Sequence, residues 1–368
     1  MELDNSYLKL SKEIFANILE GFMITDNHHR ILDVNASFTR ITGFSREEVI
    51  GENPRILKSG QHGPEFYKNI LRSIGEDGKW VGEIWNCKKN GEFYLQWQSI
   101  VSIKDEQSGK KYFVSVFTDI TEQKKYEHQL VKDLQLAKTL QESLAPQAIL
   151  EDKISISAFY WPSRDIGGDM YAWFPIDQNR YGVILVDVMG SGVSASLISM
   201  SLRALLRGII TRLVEPIAVM TELNIQMRRM FSSSSPILYY CTAIYLLVDT
   251  SQGRIEYVNA GHPAGIFLNG NEEVHLLEQG MVPVGLMSDP EIEKEVQFYE
   301  QAGRMILYTD GWVDSAGSTF KVHHERIAQV LRENNHLSHE TFVEFLQKNV
   351  VNRPTIDDIS VVALTLKL

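Results

Sequence analysis

Four aspartates lie far apart in this chain yet stand in near-identical settings, each at the end or the start of an apolar run and beside glycine or another acid. They are Asp169 in Ile166-Gly167-Gly168-Asp169, Asp187 after Tyr181-Gly182-Val183-Ile184-Leu185-Val186, Asp310 in Leu307-Tyr308-Thr309-Asp310-Gly311, and Asp357 in Asp357-Asp358-Ile359-Ser360. Apolar strands that end in carboxylates let a sheet edge gather oxygen ligands for a hard divalent cation, Mg²⁺ or Mn²⁺. One Asp-Gly pair signals only a turn. Four acids brought together without a cation would repel and raise one another's pKa values, so a pair of metal ions is the natural compensation. The pattern points to a metal-dependent phosphoryl hydrolase.

A chain of 368 residues fits two domains, each able to bury its own core. Hydrophobic residues make up 44% and charged residues 23%, which predicts a folded chain rather than a disordered one. The formal charge of -11 argues against broad binding to nucleic acid or to anionic lipid. With two cysteines only, Cys87 and Cys241, a Cys-based zinc site and a disulfide framework are excluded, and both fit buried free thiols in a reducing cytoplasm. No uninterrupted run of 18 uncharged apolar residues occurs, and Met1-Glu2-Leu3-Asp4-Asn5 lacks the basic and apolar regions of a signal peptide. A cytoplasmic protein that neither spans a membrane nor binds nucleic acid is expected.

Residues 1–122 read as a first domain of α+β type. Short strands at Gly21–Thr25 and Ile31–Asn35 flank the turn at Asp26–Arg30, and Ser45 with Glu48 forms a capping box. A helix over Gly63–Gly75 precedes three strands, Trp80–Lys88, Phe93–Lys104 and Lys111–Asp119, with a tight Asn90-Gly91 hairpin between the first two. Residues 123–148 form a charged helical linker, and from Asp119 to about Ala145 the residues Ile120, Glu127, Leu130, Leu134, Ala137, Gln141 and Leu144 fall near alternating steps of three and four. That broken heptad seam suits a coiled-coil pairing of two copies, or an amphipathic helix packed on its own chain. Pro146 ends the helix.

Residues 149–368 read as a second domain. Strands are predicted at Ile154–Phe159, Tyr181–Val188, Leu238–Thr250, Arg254–Asn259, Gly265–Leu268, Val274–Leu277, Met305–Tyr308 and Ser360–Leu366. Helices are predicted at Ser194–Ile210, from Pro216 to Phe231, Glu325–Arg332 and Ser338–Lys348, with a loop at Ser232–Pro236. Strand pairs alternating with helix pairs imply two antiparallel sheets covered by helices.

Two resemblances sharpen this reading. Asp33-Val34-Asn35, Gly43 to Glu48, Trp80 to Asn86 and Phe117 to Thr121, taken in order, resemble a PAS sensory domain, which implies a five-stranded sheet with short helices around a small cavity. Gly51 to Leu57 is similar to the segment that carries a flavin-reactive cysteine in light-sensing relatives, but Pro54 stands at that position and no thiol adduct can form there. His62, the one histidine placed for a haem, reads as a solvent-facing turn residue, so the PAS ligand is unspecified.

In the second domain, Ser163 to Tyr171, Val186 to Ala195, Tyr257 to Pro263, Pro283 to Leu286, Leu307 to Gly311 and Asp357 to Ser360 resemble successive blocks of the PP2C-type bacterial phosphatases of sporulation and stress control. Joined to a PAS domain, the set is similar to the energy-stress phosphatases of Bacillus-type sigma-factor partner switching. The resemblance implies a four-layer α-β-β-α sandwich and a serine- or threonine-phosphorylated anti-anti-sigma protein as substrate. It also implies two Mn²⁺ or Mg²⁺ ions held by Asp187, the Val188 carbonyl, Asp310, Asp357 and Asp169, with Asp358 as an orienting or a third-metal residue. Asp187, Asp310 and Asp357 with Arg164, which would grip the substrate phosphate, form the implied catalytic set, while His262 shapes the floor of the site. Met189 and Ser191 depart from the usual pattern, in which serine or alanine, and histidine or lysine, are frequent; neither position supplies a metal ligand.

A homodimer through the linker and an activating protein at the PAS domain complete the expected partners. Two rival readings are a signalling scaffold whose phosphatase-like domain binds a partner without catalysis, and a nucleotide-cyclase-like enzyme. The full aspartate set argues against the first, and Gly167-Gly168-Asp169 with the terminal Asp357-Asp358-Ile359-Ser360 is unexplained by the second.

Overall fold

Two structural units meet inside a helix, one covering residues 1–132 and the other 133–368. The computed structural model describes residues 2–106, 108–231, 238–270, 273–316, 319–350 and 357–367.

The first unit begins with α1 (Glu2–Asn17), β1 (Gly21–Thr25), β2 (Ile31–Val34), α2 (Ala36–Thr42) and α3 (Arg46–Val49). It continues through a 3₁₀ turn at Pro54–Leu57 to α4 (Pro64–Glu76), β3 (Lys79–Cys87), β4 (Phe93–Lys104), β5 (Lys111–Asp119) and α5 (Thr121–Ser143). The five strands form one antiparallel sheet in the order β2-β1-β5-β4-β3. Local chemistry sets the helix starts: the Asn35 carboxamide oxygen accepts from the N–H groups of both Phe38 and Phe22, tying α2 to β1. The Ser45–Glu48 capping box forms as expected. Between β3 and β4 only Gly91 takes a positive φ (+88°), and the Gly91 N–H donates to the Lys88 carbonyl, so the loop is longer than the two-residue Asn-Gly turn expected.

The core of this unit is divided. Met23, Ile31, Val34, Phe38, Val49, Leu57 and Phe117 form one apolar cluster, and Ile70, Ile74 and Ile84 a second. The sheet also buries Gln96, Gln98 and Ser115, whose side chains bond in series. His62 is half-buried rather than solvent-facing: its Nε2 accepts the Trp85 N–H at 2.8 Å and its ring stacks on Phe66.

The second unit contains β6 (Ile149–Leu150), β7 (Ile154–Trp161), β8 (Met170–Pro175), β9 (Arg180–Val188), α6 (Val193–Leu213), α7 (Pro216–Met230), β10 (Cys241–Asp249) and β11 (Arg254–Ala260). There follow β12 (Gly265–Asn269), β13 (Glu273–Leu277), β14 (Gly280–Met281), β15 (Glu295–Phe298), β16 (Gly303–Tyr308), α8 (Asp310–Ala316), α9 (Phe320–Glu333), α10 (His339–Val350) and β17 (Ile359–Leu366). One sheet runs β14-β11-β10-β9-β8, with β15 also on β11; the other runs β13-β12-β16-β17-β7-β6. All pairings are antiparallel except β11 with β14.

Burial explains the stacking. The side chains of Val183, Leu185, Leu246, Val248, Met305, Leu307, Val362 and Leu364 pack between the sheets. Alternate residues on β9 and β10 face outward onto α6 and α7, through Ile184, Val186, Leu202, Leu206 and Leu223. On the other sheet Ile306, Tyr308 and Val361 meet α9 and α10 through Ile327, Leu331, Phe342 and Leu346. The result is the expected α-β-β-α sandwich. Among the described residues one helix, α6, is long and apolar enough to cross a membrane by length and composition, and its Leu202, Leu206 and Ile210 lie in the core. The strands β8, β14 and β15 and the helix α8 were not evident in the sequence, α9 starts earlier than expected, and the loop expected at Ser232–Pro236 lies outside the described residues.

Candidate metal centre

The acids gather because of where the strands stop. Trp161 at the end of β7 pairs with Ile359 at the start of β17, and Tyr308 at the end of β16 pairs with Val361, so these ends share one edge of their sheet. Asp310 leaves that edge as the first residue of α8, and Asp357 and Asp358 enter it. Asp169 lies in the crossover from β7 to β8, which carries the chain from one sheet to the other, and Asp187 is the penultimate residue of β9 in that second sheet.

Hydrogen bonds fix the crossover. Thr309 Oγ1 donates to Asp169 Oδ2 at 2.8 Å and accepts the Ser360 N–H at 2.8 Å. Asp358 is buried and accepts three bonds: from Ser163 N–H and Oγ–H on Oδ1, and from Gly168 N–H on Oδ2. Glycine is required at two contacts. A Cβ at Gly167 would sit 1.9 Å from Asp358 Oδ2, and one at Gly311 would sit 2.1 Å from the Asp358 carbonyl oxygen. A Cβ at Gly168 would lie 2.9 Å from the Val188 carbonyl oxygen, which places that carbonyl against the Asp169 loop. The end of α5, within this second unit, joins the same loop: Gln141 Nε2 donates to the Gly167 carbonyl at 2.9 Å and Gln141 Oε1 accepts the Gly167 N–H.

The carboxylates act on one another. Burial, then Asp310 and Asp357, push the Asp187 pKa up to about 8. Burial, then Asp187 and Asp358, raise that of Asp169 well above the carboxylate range. Asp310 is raised by burial, Asp357 and Asp314, and Asp357 by burial, Asp358 and Asp314. No lysine or arginine forms an ion pair with any of these acids among the described residues. Nor do any three acidic, imidazole or thiol side chains among the described residues stand close enough together to hold a metal ion as they are placed. The donor set is all oxygen and electrostatically unsatisfied, which fits a hard divalent cation and leaves soft metals without a ligand.

The structure brings Asp169, Asp187, Asp310 and Asp357 into one electrostatic cluster with Asp358, whose bonds go to backbone and serine. Arg164 is exposed, beside Gly192, and has no ion-pair partner among the described residues. His262 is buried, with Nδ1 2.8 Å from Thr242 Oγ1, and burial lowers its pKa to about 3, which keeps it neutral. Thr242 pairs in register with Asp187. Sequence reasoning missed Asp314, exposed and one turn after Asp310 on α8; the spacing of four was the available signal, once Asp310 is seen to begin a helix. It also missed Thr309, Ser163 and Gln141, whose roles depend on partners distant in sequence.

Residues 177–367 match the family model described as Stage II sporulation protein E (SpoIIE). The chain belongs to the SpoIIE family. Residues 19–122 of this SpoIIE-family chain match a PAS domain model. Among curated relatives, phosphoserine phosphatase RsbP of Bacillus subtilis is 38% identical over 189 residues, covering 51% of this chain and 47% of RsbP. Phosphoserine phosphatase RsbU of the same organism is 21% identical over 187 residues, covering 50% of this chain and 54% of RsbU. The chain thus spans about half the length of these relatives. Among solved structures, the SiaA-PP2C domain of Pseudomonas aeruginosa aligns with a TM-score of 0.53 at 20% identity, covering 66% of this chain and 98% of that one. The RsbU and RsbW domains of Rv1364c from Mycobacterium tuberculosis align with a TM-score of 0.52 at 18% identity, covering 58% and 62%. The second unit therefore has the PP2C-like fold of the SpoIIE family.

Proposed function

We propose that this chain is a Mn²⁺- or Mg²⁺-dependent protein serine/threonine phosphatase that dephosphorylates a phosphorylated anti-anti-sigma-type regulator under control of its PAS unit, and so activates a stress-response sigma factor. The observation that carries the proposal is the cluster of carboxylates drawn from both sheets, Asp169 buried and Asp187, Asp310 and Asp357 half-buried, that raise one another's pKa values without a basic partner among the described residues. Asp187, Asp310, Asp357, Asp169 and the Val188 carbonyl would hold two cations. Bound there, such a pair supplies Lewis acidity toward the phosphoryl oxygens and toward water.

The chain's own groups do the positioning. Thr309 aims Asp169, and Asp358 holds the backbone of Ser163 and Gly168 so that the Asp169 loop keeps its shape. Arg164, exposed and without an ion-pair partner among the described residues, offers a planar fork for a phosphate. Cys241 is no nucleophile, because burial raises its thiol pKa far above neutrality. His262, kept neutral, is a wall of the site and not an acid.

We place the protein in the cytoplasm as a homodimer paired through the linker helix, with an activating protein acting on the PAS unit. The names of RsbP and RsbU as phosphoserine phosphatases support the activity. The test is release of inorganic phosphate from a phosphoseryl anti-anti-sigma-type protein by the full chain with Mn²⁺, beside Asp187→Ala. Release that falls at least about a hundredfold in the variant is expected for loss of a central charge. Equal release by both proteins, or none by either, rejects the reading.

A further inference from the structure

A cavity of about 400 Å³ opens on Asp310 and is separate from the crossover that holds Asp169. Its walls include Pro263 after β11, Glu278 after β13, Met281 on β14, and Phe320 and His324 on α9. Neither lysine nor arginine is among its lining residues. Glu278 is exposed at its rim and near enough to His324 to act on its charge, while burial outweighs that pull and keeps the His324 pKa below its ordinary value. Phe320 is 47% exposed, a large ring left open to solvent at the same rim.

We propose that this cavity is a subsite for an arginine or lysine side chain of the phosphoprotein substrate. The inference rests on the phosphatase reading above and names a feature of its substrate. A long cationic side chain matches each wall: its methylenes lie on Met281 and Pro263, its charge meets the Glu278 carboxylate, and the Phe320 face offers a cation–π contact. An acidic side chain would be repelled by the Glu278 carboxylate, and a purely apolar one would gain nothing from that charge. An extended peptide rises about 3.4 Å per residue. Because the cavity opens on Asp310, a member of the acid cluster, the cationic residue belongs close in sequence to the phosphoserine held there.

The experiment measures kcat/KM of the full chain with Mn²⁺ on paired phosphoserine peptides that carry Arg or Gln at each position within four of the phosphoserine. The wild-type chain should prefer Arg by about fivefold at one position, the scale of a single charge pair at a partly exposed site. Glu278→Gln should bring that ratio close to one, Glu278→Lys should invert it, and Phe320→Ala should lower it about twofold through the lost ring contact. A wild-type ratio near one at every position, a ratio that survives in Glu278→Gln, or a preference for Gln overturns the subsite while leaving the phosphatase reading intact. Phosphate released from no peptide removes the phosphatase reading and the subsite with it.

Discussion

Asp358→Asn separates an orienting carboxylate from a metal ligand. Asp358 is 3% exposed and spreads three accepted bonds over its two oxygens, two from Ser163 at 2.8 and 2.9 Å and one from Gly168 at 2.8 Å. Asparagine keeps one acceptor for Ser163 and turns an NH₂ toward the Gly168 N–H. The lost charge-assisted bond is worth about 1.5–3 kcal/mol, and the orphaned buried N–H adds about 1–3 kcal/mol. Removing one like charge beside Asp169 returns about 1 kcal/mol of relieved repulsion. The net expected loss is about 1.5–5 kcal/mol, against about 0.5 kcal/mol or less for exposed Asp165→Asn. Urea unfolding of the metal-free full chain and hydrogen exchange at the Gly168 amide read this directly: the midpoint should fall and the amide should lose protection. If both are unchanged in Asp358→Asn while Mn²⁺ binding is lost, Asp358 is a ligand and the orienting argument is wrong.

Three further outcomes follow from the same geometry. The folded pKa of Asp187, about 8, lies above its ordinary 3.8, so its contribution to metal-free stability is full below about pH 4 and is lost as pH rises through 8. Mn²⁺ bound at the proposed centre would displace that proton, so calorimetry in buffers of different ionisation enthalpy should show release of at least about one proton per chain near pH 7, with affinity rising toward pH 8; no release refutes it. His339 sits between Ser157 Oγ and Thr365 Oγ1, and burial lowers its pKa from 6.5 to about 4. The stability it contributes is full above pH 6.5 and is lost as pH falls through 4, by up to about 3 kcal/mol; a His339→Gln chain should show a flatter acid limb in pH-dependent unfolding. Gln141→Ala removes both bonds to the Gly167 backbone, a restraint of about 1–3 kcal/mol. Mn²⁺ affinity should drop at least about fivefold, and an unchanged affinity would show that the end of α5 does not hold the loop.

The sandwich was legible because its strands are long apolar runs with clear stops, as in Tyr181–Val186 and Leu307–Tyr308, and because burial on both faces leaves little choice of environment. The short strands β8, β14 and β15 were not legible, since β8 mixes aromatic residues with a terminal proline and the other two are defined by neighbours on β9 and β11. Asp310 was found as an acid after a strand, but its place as the first residue of a helix was hidden by Gly311, a poor helix former that is kept there by the Asp358 carbonyl packed on its Cα. The linker pattern left two alternatives open, a pairing of two copies and a helix packed on its own chain. Leu134, Ala137 and Gln141 are half-buried, while Leu130 and Leu140 face solvent. His62 was misjudged because its partner, the Trp85 N–H, is 23 residues away.

Asp169 travels on the segment that passes from one sheet to the other, while Asp187 belongs wholly to the second sheet and Asp310 and Asp357 to the edge of the first. The distance between these carboxylates is therefore a gauge of how far apart the two layers stand. Thinning the filling between them, for example at Leu185 or Leu307, would change the spacing of the acids without touching any of them, so the interior packing of the sandwich sets the tuning of its rim.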